Sequence, residues 1–223
     1  MKALAIDTAN SKILISAKND DKSVTVIFNI GMKQSETLLP SIDYVLNQLQ
    51  ITPQELDYTV LCKGPGSFTG LRLGFAALKA IEAAYNVPIY GSLSLETYAF
   101  PFKNFDATVI SVIDAKKEKF YAYAAENGKK IIDDGDYTVA EIAGKLEGCK
   151  KLFICGPDAA VFKPLIKNLL PSCTLICLGG EVPATDSLFI IAEDMIAGKI
   201  APLADFDGPV YLRASEAEEN LSK

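Results

Sequence analysis

The chain has 223 residues and a formal net charge of −6, and it contains no histidine. This length accommodates one large domain or two lobes of roughly a hundred residues each. The acidic balance argues against a free-standing nucleic-acid binder, because like charge repels a phosphate backbone. The missing histidine removes the commonest general base and transition-metal ligand, so we expect no metal and no cofactor.

The distribution of apolar residues and cysteines excludes two further classes. No apolar run approaches the roughly 18 residues that span a bilayer, and the first apolar stretch stops at Asp7, too soon for a signal peptide. The five cysteines include no Cys-x-x-Cys pair, which is typical of reduced thiols. We therefore expect a cytoplasmic protein that does not bind membranes.

In chain order, the first third alternates strand and helix patterns, which indicates an α/β protein. Three β-rich segments come first, and we expect them to pair antiparallel. The predicted elements are strands 2–7, 12–18 and 23–30, a helix 35–48, a strand 58–62, a helix 67–85 and a strand 87–90. The second half is less regular, with strands predicted over 118–126 and 151–155 and helices over 139–147 and 187–197.

The two halves carry the same short pattern. An apolar strand ends in an aspartate, Asp7 in the first half and Asp114 in the second, and a polar turn and a returning strand follow. The two aspartates are 107 positions apart (114 − 7), close to half the chain. A repeat of this length predicts a duplicated fold with two lobes, 1–103 and 104–223, divided where Pro, Lys and Asn interrupt the pattern at 101–106.

A glycine-rich segment, 64–70, lies between a predicted strand and a predicted helix. There its backbone N–H groups and the helix dipole can face an anion, although the Gly-Lys-Ser/Thr of a P-loop is missing. The alternative is a tight turn in which Ser67 or Thr69 caps the helix.

Asp7 and Asp114 are placed where they could hold a magnesium ion through water. Sugar kinases and actins have a glycine two residues later so that the backbone can approach phosphate, but Ala9 and Lys116 stand there. We interpret the site as the remnant of a nucleotide cleft. Its candidate residues are Asp7, Gly64, Gly66 and Asp114.

The predicted helix 67–85 is apolar around nearly its whole circumference, apart from a narrow stripe of Arg72, Lys79 and Glu82. Such a helix is buried on more than one side. It is either a central helix within its own domain or part of a partner interface, and its small residues allow another helix to approach closely. We predict an interface on this helix and the preceding one, formed by Leu38, Leu39, Ile42, Gly70, Leu71, Gly74, Phe75, Ala77, Leu78 and Ile81.

Several of these motifs resemble the TsaB (YeaZ) family. The most specific one covers residues 64–74, and the others cover 5–8, 35–42, 113–117 and 209–213. The similarity is dense over 3–123 and thin afterwards until 211–213. Gln34 departs from the family, which often has histidine there.

The resemblance implies a duplicated RNase H-like fold of the actin/sugar kinase/Hsp70 (ASKHA) class. It also implies a non-catalytic scaffold or activator subunit that binds the TsaD paralogue, and through it the ATPase TsaE. TsaD transfers a threonylcarbamoyl group to adenosine 37 of tRNA, so contact with tRNA would be indirect, and the chain alone would form a homodimer. Ser94 and Tyr98 stand where TsaD has the two histidines of its metal site. The alternative is an ATPase of this fold, or a peptidase-like enzyme, that acts on its own.

Overall fold

A computed structural model describes residues 1–30, 34–178 and 182–213. The chain divides into two compact units, one formed by Met1–Ser94 with Pro183–Val210 and the other by Leu95–Val182 with Tyr211–Lys223. No helix among the described residues is long and apolar enough to cross a membrane.

The first unit contains a five-stranded sheet with helices on both faces. Its elements are β1 (Lys2–Asp7), β2 (Ile13–Asn19), β3 (Lys22–Phe28), α1 (Gln34–Gln48), β4 (Tyr58–Cys62), α2 (Phe68–Tyr85), β5 (Ile89–Ser92) and, from the far end of the chain, α6 (Ala184–Ala197). The strand order is β3-β2-β1-β4-β5. β1–β2 and β2–β3 are antiparallel, while β1–β4 and β4–β5 are parallel. The antiparallel start confirms the predicted arrangement of the first three strands.

β1 and β4 are apolar on both faces because helices cover both faces of the sheet. One face of the sheet packs against α1 and α2, in a cluster that includes Leu4, Ile6, Leu38 and Leu78. The other face contacts α6.

The second unit repeats the same topology. Its elements are α3 (Ser94–Ala99, whose first residue belongs to the first unit), β6 (Thr108–Asp114), β7 (Lys119–Glu126), β8 (Lys129–Thr138), α4 (Val139–Lys145), β9 (Lys151–Cys155), α5 (Ala159–Leu169) and β10 (Thr174–Cys177). The strand order β10-β9-β6-β7-β8 corresponds to β5-β4-β1-β2-β3 of the first unit. The predicted duplication is therefore confirmed.

The compact units differ from the predicted lobes 1–103 and 104–223. Helix α6 belongs to the first unit, because contacts far apart in sequence hold it on the first sheet. The Ser16 hydroxyl donates to the Thr185 hydroxyl over 2.7 Å. Glu193 accepts from the Tyr58 hydroxyl over 3.0 Å and forms an ion pair with Lys18. The helix thereby covers the face of the sheet that α1 and α2 leave open.

Candidate functional site

The glycine-rich segment 64–70 packs directly on the turn between β1 and β2. The Ser67 N–H donates to the Ala9 carbonyl over 2.6 Å. A Cβ atom on Gly66 or Gly70 would overlap a carbonyl oxygen of that turn, from Ala9 or Thr8 respectively. These glycines are therefore required for a close approach between two backbone segments of the same unit.

Ser67 is the N-cap of α2. Its hydroxyl accepts a hydrogen bond from the Gly70 N–H over 3.3 Å, which is the capping arrangement expected for a serine at this position. Gly64 has a φ of +113°, a backbone conformation that side chains disfavour, and its N–H donates to the Ser94 hydroxyl over 3.2 Å. Ser94 thus helps to hold the glycine-rich turn.

Asp7 ends β1 and is completely buried. Its carboxylate accepts a hydrogen bond from the Ala9 N–H over 2.9 Å, so it stabilises the turn on which the glycine-rich segment packs. Asp7, Gly64 and Gly66, three of the four residues predicted for the site, therefore lie in neighbouring loops of the first unit.

Asp114, the corresponding residue of the second unit, is paired by its own loop. Its carboxylate accepts from the Lys116 N–H over 2.8 Å and contacts the Lys116 ammonium at 2.7 Å. Partial burial favours the neutral acid, but the hydrogen bonds from Lys116 outweigh it and lower the pKa of Asp114. Lys116 lies two residues after Asp114, and its φ is +60°. The Asp114 carboxylate is thus paired with a lysine of its own loop, whose side chain is 80 % exposed.

Arg213, the last residue of the motif at 209–213, contacts the loop after Asp114. Arg213 forms two parallel hydrogen bonds with the Asp136 carboxylate, of 2.6 and 2.8 Å. A third bond, of 2.7 Å, joins it to the carbonyl of Ala115. This bidentate arrangement is the strong, geometrically specific form of an arginine–carboxylate pair, which gives Arg213 a structural role in the second unit.

Most of the predicted interface residues have a different role from the one expected. Only Leu39, 62 % exposed, and the partly buried Ile81 reach the surface. The others are buried in the first unit: Leu38, Ile42, Gly70, Leu71, Gly74, Phe75, Ala77 and Leu78. A Cβ on Gly74 would lie 2.6 Å from the Thr8 hydroxyl oxygen, so this glycine faces β1 and not a partner helix. The interface prediction is corrected accordingly: the apolar sides of α2 cover the sheet and α1.

A different part of the same two helices is exposed. On α2 the solvent-facing stripe contains the small residues Ala76, Ala80 and Ala83. On α1 the exposed apolar residues are Leu39 and Tyr44, the latter 51 % exposed. We call these five exposed residues of the two helices, taken together, the helical face. In the sequence, the exposed alanines have i, i+4, i+7 spacing. The buried apolar residues of α2 have helical spacing too, so spacing alone does not tell the two sets apart.

Phe206 is a second exposed aromatic residue that the sequence analysis missed. Its side chain is fully exposed, at 101 %. Phe206 lies in a turn, in which the Ala204 N–H donates to the Asp207 carboxylate over 2.7 Å and the Asp207 N–H donates to the Ala204 carbonyl over 3.0 Å.

Among the described residues, no group of three or more Cys, Asp or Glu side chains is arranged to hold a metal ion.

Comparisons with known proteins place this geometry in a family. The family model described as "TsaD: tRNA N6-adenosine threonylcarbamoyltransferase" matches residues 31–206. The chain is 30 % identical to the tRNA threonylcarbamoyladenosine biosynthesis protein TsaB of Bacillus subtilis, over 98 % of this chain and 96 % of the relative. The chain belongs to the TsaB (YeaZ) family.

Solved structures agree with this membership at the level of the fold. YeaZ from Pseudomonas aeruginosa superposes with a TM-score of 0.74 at 18 % identity, covering 95 % of this chain and 99 % of that one. A Bacteroides thetaiotaomicron protein described as having an actin-like ATPase fold has a TM-score of 0.52 at 10 % identity, covering 85 % and 95 %. The TsaB family fold is thus a duplicated α/β fold of the actin-like, ASKHA class, as predicted.

Proposed function

We propose that this TsaB-family chain is a non-catalytic scaffold or activator subunit in the synthesis of threonylcarbamoyladenosine in tRNA. It binds the TsaD paralogue, and through it TsaE, while TsaD transfers the threonylcarbamoyl group to adenosine 37. Contact with tRNA is then indirect, and the complex works in the cytoplasm. The names of the curated relatives and the match to a TsaD-type family model support this proposal.

One observation carries the non-catalytic part of the proposal, namely the pairing of Asp114 with Lys116. A phosphoryl-transfer site needs a carboxylate that is free to hold a metal ion, whereas this one already contacts an ammonium group at 2.7 Å. In the first unit, the glycine-rich turn is packed on residues of β1 and its turn. Both loops therefore serve internal contacts, which favours a retained fold over a retained reaction.

The helical face supports the proposed binding of TsaD. Its alanines on α2 leave room for a partner helix to approach closely, and burial of Leu39 and Tyr44 supplies apolar contact area. On α1, Leu39 is 62 % exposed and Tyr44 is 51 % exposed, so both side chains are accessible to a partner. In the absence of TsaD, the same face covers itself in a symmetric homodimer.

A binding experiment with the cognate TsaD protein tests this proposal. Leu39→Asp should weaken TsaD binding by roughly thirtyfold, because it places a charge in a desolvated contact. Leu165→Asp is the matched control, since Leu165 is an exposed leucine of α5, 42 % exposed, outside the helical face. Isothermal titration calorimetry measures both, and circular dichroism verifies that both variants fold. Equal affinity for the two variants would rule out the helical face.

A second experiment distinguishes the scaffold from an enzyme of the same fold. Asp114→Asn should leave TsaD-dependent tRNA modification within a few-fold of the unsubstituted chain, because the carboxylate serves contacts within its own loop. ATP hydrolysis by the isolated chain that falls a hundredfold in Asp114→Asn would instead support the ATPase alternative. Peptide hydrolysis by the isolated chain would support the peptidase-like one.

A further inference from the structure

Two cysteines of the second unit lie side by side in space, although 24 positions separate them in sequence. The Sγ atoms of Cys149 and Cys173 are 3.9 Å apart. Each precedes a strand of the parallel pair β9–β10, in which Lys151 is the partner of Thr174. A further hydrogen bond of 2.9 Å joins the Thr174 N–H to the Lys150 carbonyl. Cys149 and Cys173 therefore lie on two neighbouring segments of the chain, directly before the paired strands.

The separation of the two sulfur atoms is close to that of a disulfide. The Sγ atoms are 3.9 Å apart, and the S–S bond of a disulfide is about 2.05 Å long. The sulfur atoms therefore need only a side-chain rotation to come into bonding distance, with little movement of the backbone.

The two thiols differ in their access to solvent. Cys173 is buried, at 3 % exposure, whereas Cys149 is partly exposed and lines a cleft of about 480 Å³. Burial is the first cause that raises the pKa of Cys173, to about 11, so this thiol is a slow nucleophile that reacts only with a sulfur atom held beside it. The cleft is also lined by Lys145, Lys150 and Lys151, beside the carboxylates of Asp106, Glu126 and Glu147. An oxidant that enters the cleft meets Cys149 first.

We propose that Cys149 and Cys173 are an oxidisable pair that closes an intramolecular disulfide when a low-molecular-weight disulfide reacts in this cleft. In the first step, the Cys149 sulfur bonds to one sulfur of the reagent, the S–S bond of the reagent breaks, and its other half leaves as a thiol carrying the Cys149 proton. In the second step, the Cys173 sulfur displaces the remaining half, which leaves as a second thiol with the Cys173 proton. The pair loses two electrons and the reagent gains them.

The remaining cysteines provide internal comparisons. Cys155 is buried, and its thiol donates to the carbonyl of Ile110 over 3.3 Å, so it is shielded from a reagent in the cleft. Cys177 is partly exposed, and its thiol donates to the carbonyl of Leu178 at 3.6 Å. Cys177 is therefore the matched control for the exposed member of the pair.

The disulfide encloses β9 and α5 and constrains the unfolded chain, so oxidation should stabilise the second unit. Purified full-length protein is equilibrated with glutathione disulfide, alkylated, digested without reduction and examined by mass spectrometry. We expect a peptide pair joined through Cys149 and Cys173, and a melting temperature that rises by about 5 °C. Dithiothreitol should reverse both changes.

Single variants assign the roles. Cys149→Ser should abolish the bridge and leave Cys173 unmodified, and Cys173→Ser should stop the reaction at a mixed disulfide on Cys149. Cys177→Ser should oxidise as the unsubstituted chain does. The proposal is overturned if the unsubstituted protein shows no Cys149–Cys173 peptide pair, if it stops at a mixed disulfide, or if Cys177 is bridged instead. This readout needs no variant to fold and does not depend on TsaD.

Discussion

Replacing Gly70 with alanine tests whether the glycines of the 64–74 motif serve internal packing. The added Cβ would overlap the Thr8 carbonyl oxygen, and a backbone atom moves only if α2 and the β1–β2 turn separate. Such overpacking costs about 1–3 kcal/mol, and the overlap with backbone places this case at the upper end. Alanine recovers up to about 1 kcal/mol of helix propensity. We therefore expect a net loss of about 2 kcal/mol in the free energy of unfolding.

Alanine substitutions at two other helical glycines provide comparisons for this loss of unfolding free energy. Gly74 faces the Thr8 hydroxyl at 2.6 Å, and because a hydroxyl can rotate away, Gly74→Ala should cost only about 1 kcal/mol. Gly144 in α4 has no atom within 4 Å of its ideal Cβ, so Gly144→Ala should stabilise the protein by roughly 0.5–1 kcal/mol.

Urea denaturation followed by circular dichroism measures all three variants. The melting temperature should fall by about 4–8 °C for Gly70→Ala, since 1 kcal/mol corresponds to about 2–4 °C in a chain of this size. From the most to the least stable, the order should be Gly144→Ala, the unsubstituted chain, Gly74→Ala and Gly70→Ala. If Gly70→Ala is as stable as Gly144→Ala, the close approach to Thr8 is not what this glycine provides.

Three further predictions concern ion pairs, pH and metal. Glu193→Ala should destabilise the first unit by about 2–3 kcal/mol, because it leaves Lys18, whose side chain is 16 % exposed, without its partner and removes the acceptor of the Tyr58 hydroxyl. Glu193→Gln should cost less. Equal losses of stability in the two variants would argue against an effect of charge. Burial, reinforced by Glu96, raises the pKa of Asp134 to about 6, and neither carboxylate oxygen has a hydrogen-bond partner. The neutral acid is therefore favoured by folding, and its stabilisation is complete below about pH 4 and lost as the pH rises through 6. In urea titrations, Asp134→Asn should remove roughly 1–2 kcal/mol of this decline after allowance for partial exposure, and an unchanged pH profile would contradict the assignment. EDTA should leave the melting temperature unchanged, and a stoichiometric transition metal in mass spectrometry would contradict this expectation.

The elements with strong local periodicity were predictable from the sequence. The bounds of β1 and β4 match the predicted strands, and α1 and α2 differ from prediction by one residue at their starts. The prediction missed α3, β8, α5 and β10, of which α3 has only six residues. β8 carries acidic residues and a register shift against β7, which break the alternation that identifies a strand. α5 contains Pro164 and β10 has only four residues, so neither gives a clear periodic signal.

The candidate site was only partly predictable. Spacing identified Asp7 and Asp114 as corresponding residues of a duplicated fold, and the strand and helix patterns placed the glycine-rich segment between a strand and a helix. The pairing of Asp114 with Lys116 required coordinates, because Lys116 adopts a left-handed conformation that turns its ammonium group back onto the carboxylate. The closeness of Cys149 and Cys173 is likewise a result of strand pairing.

By itself, the sequence determined that this is a duplicated α/β chain of the TsaB family. That information is local, since it lies in apolar alternation, in motif residues and in a repeat half a chain long. Only the tertiary structure decided which sides of α2 are covered. An apolar helix face has the same sequence whether its own sheet or a partner covers it, so Gly74 could be assigned to the core only from its approach to Thr8. The same holds for α6, which the ion pair between Lys18 and Glu193 joins to the first sheet across 175 positions of sequence.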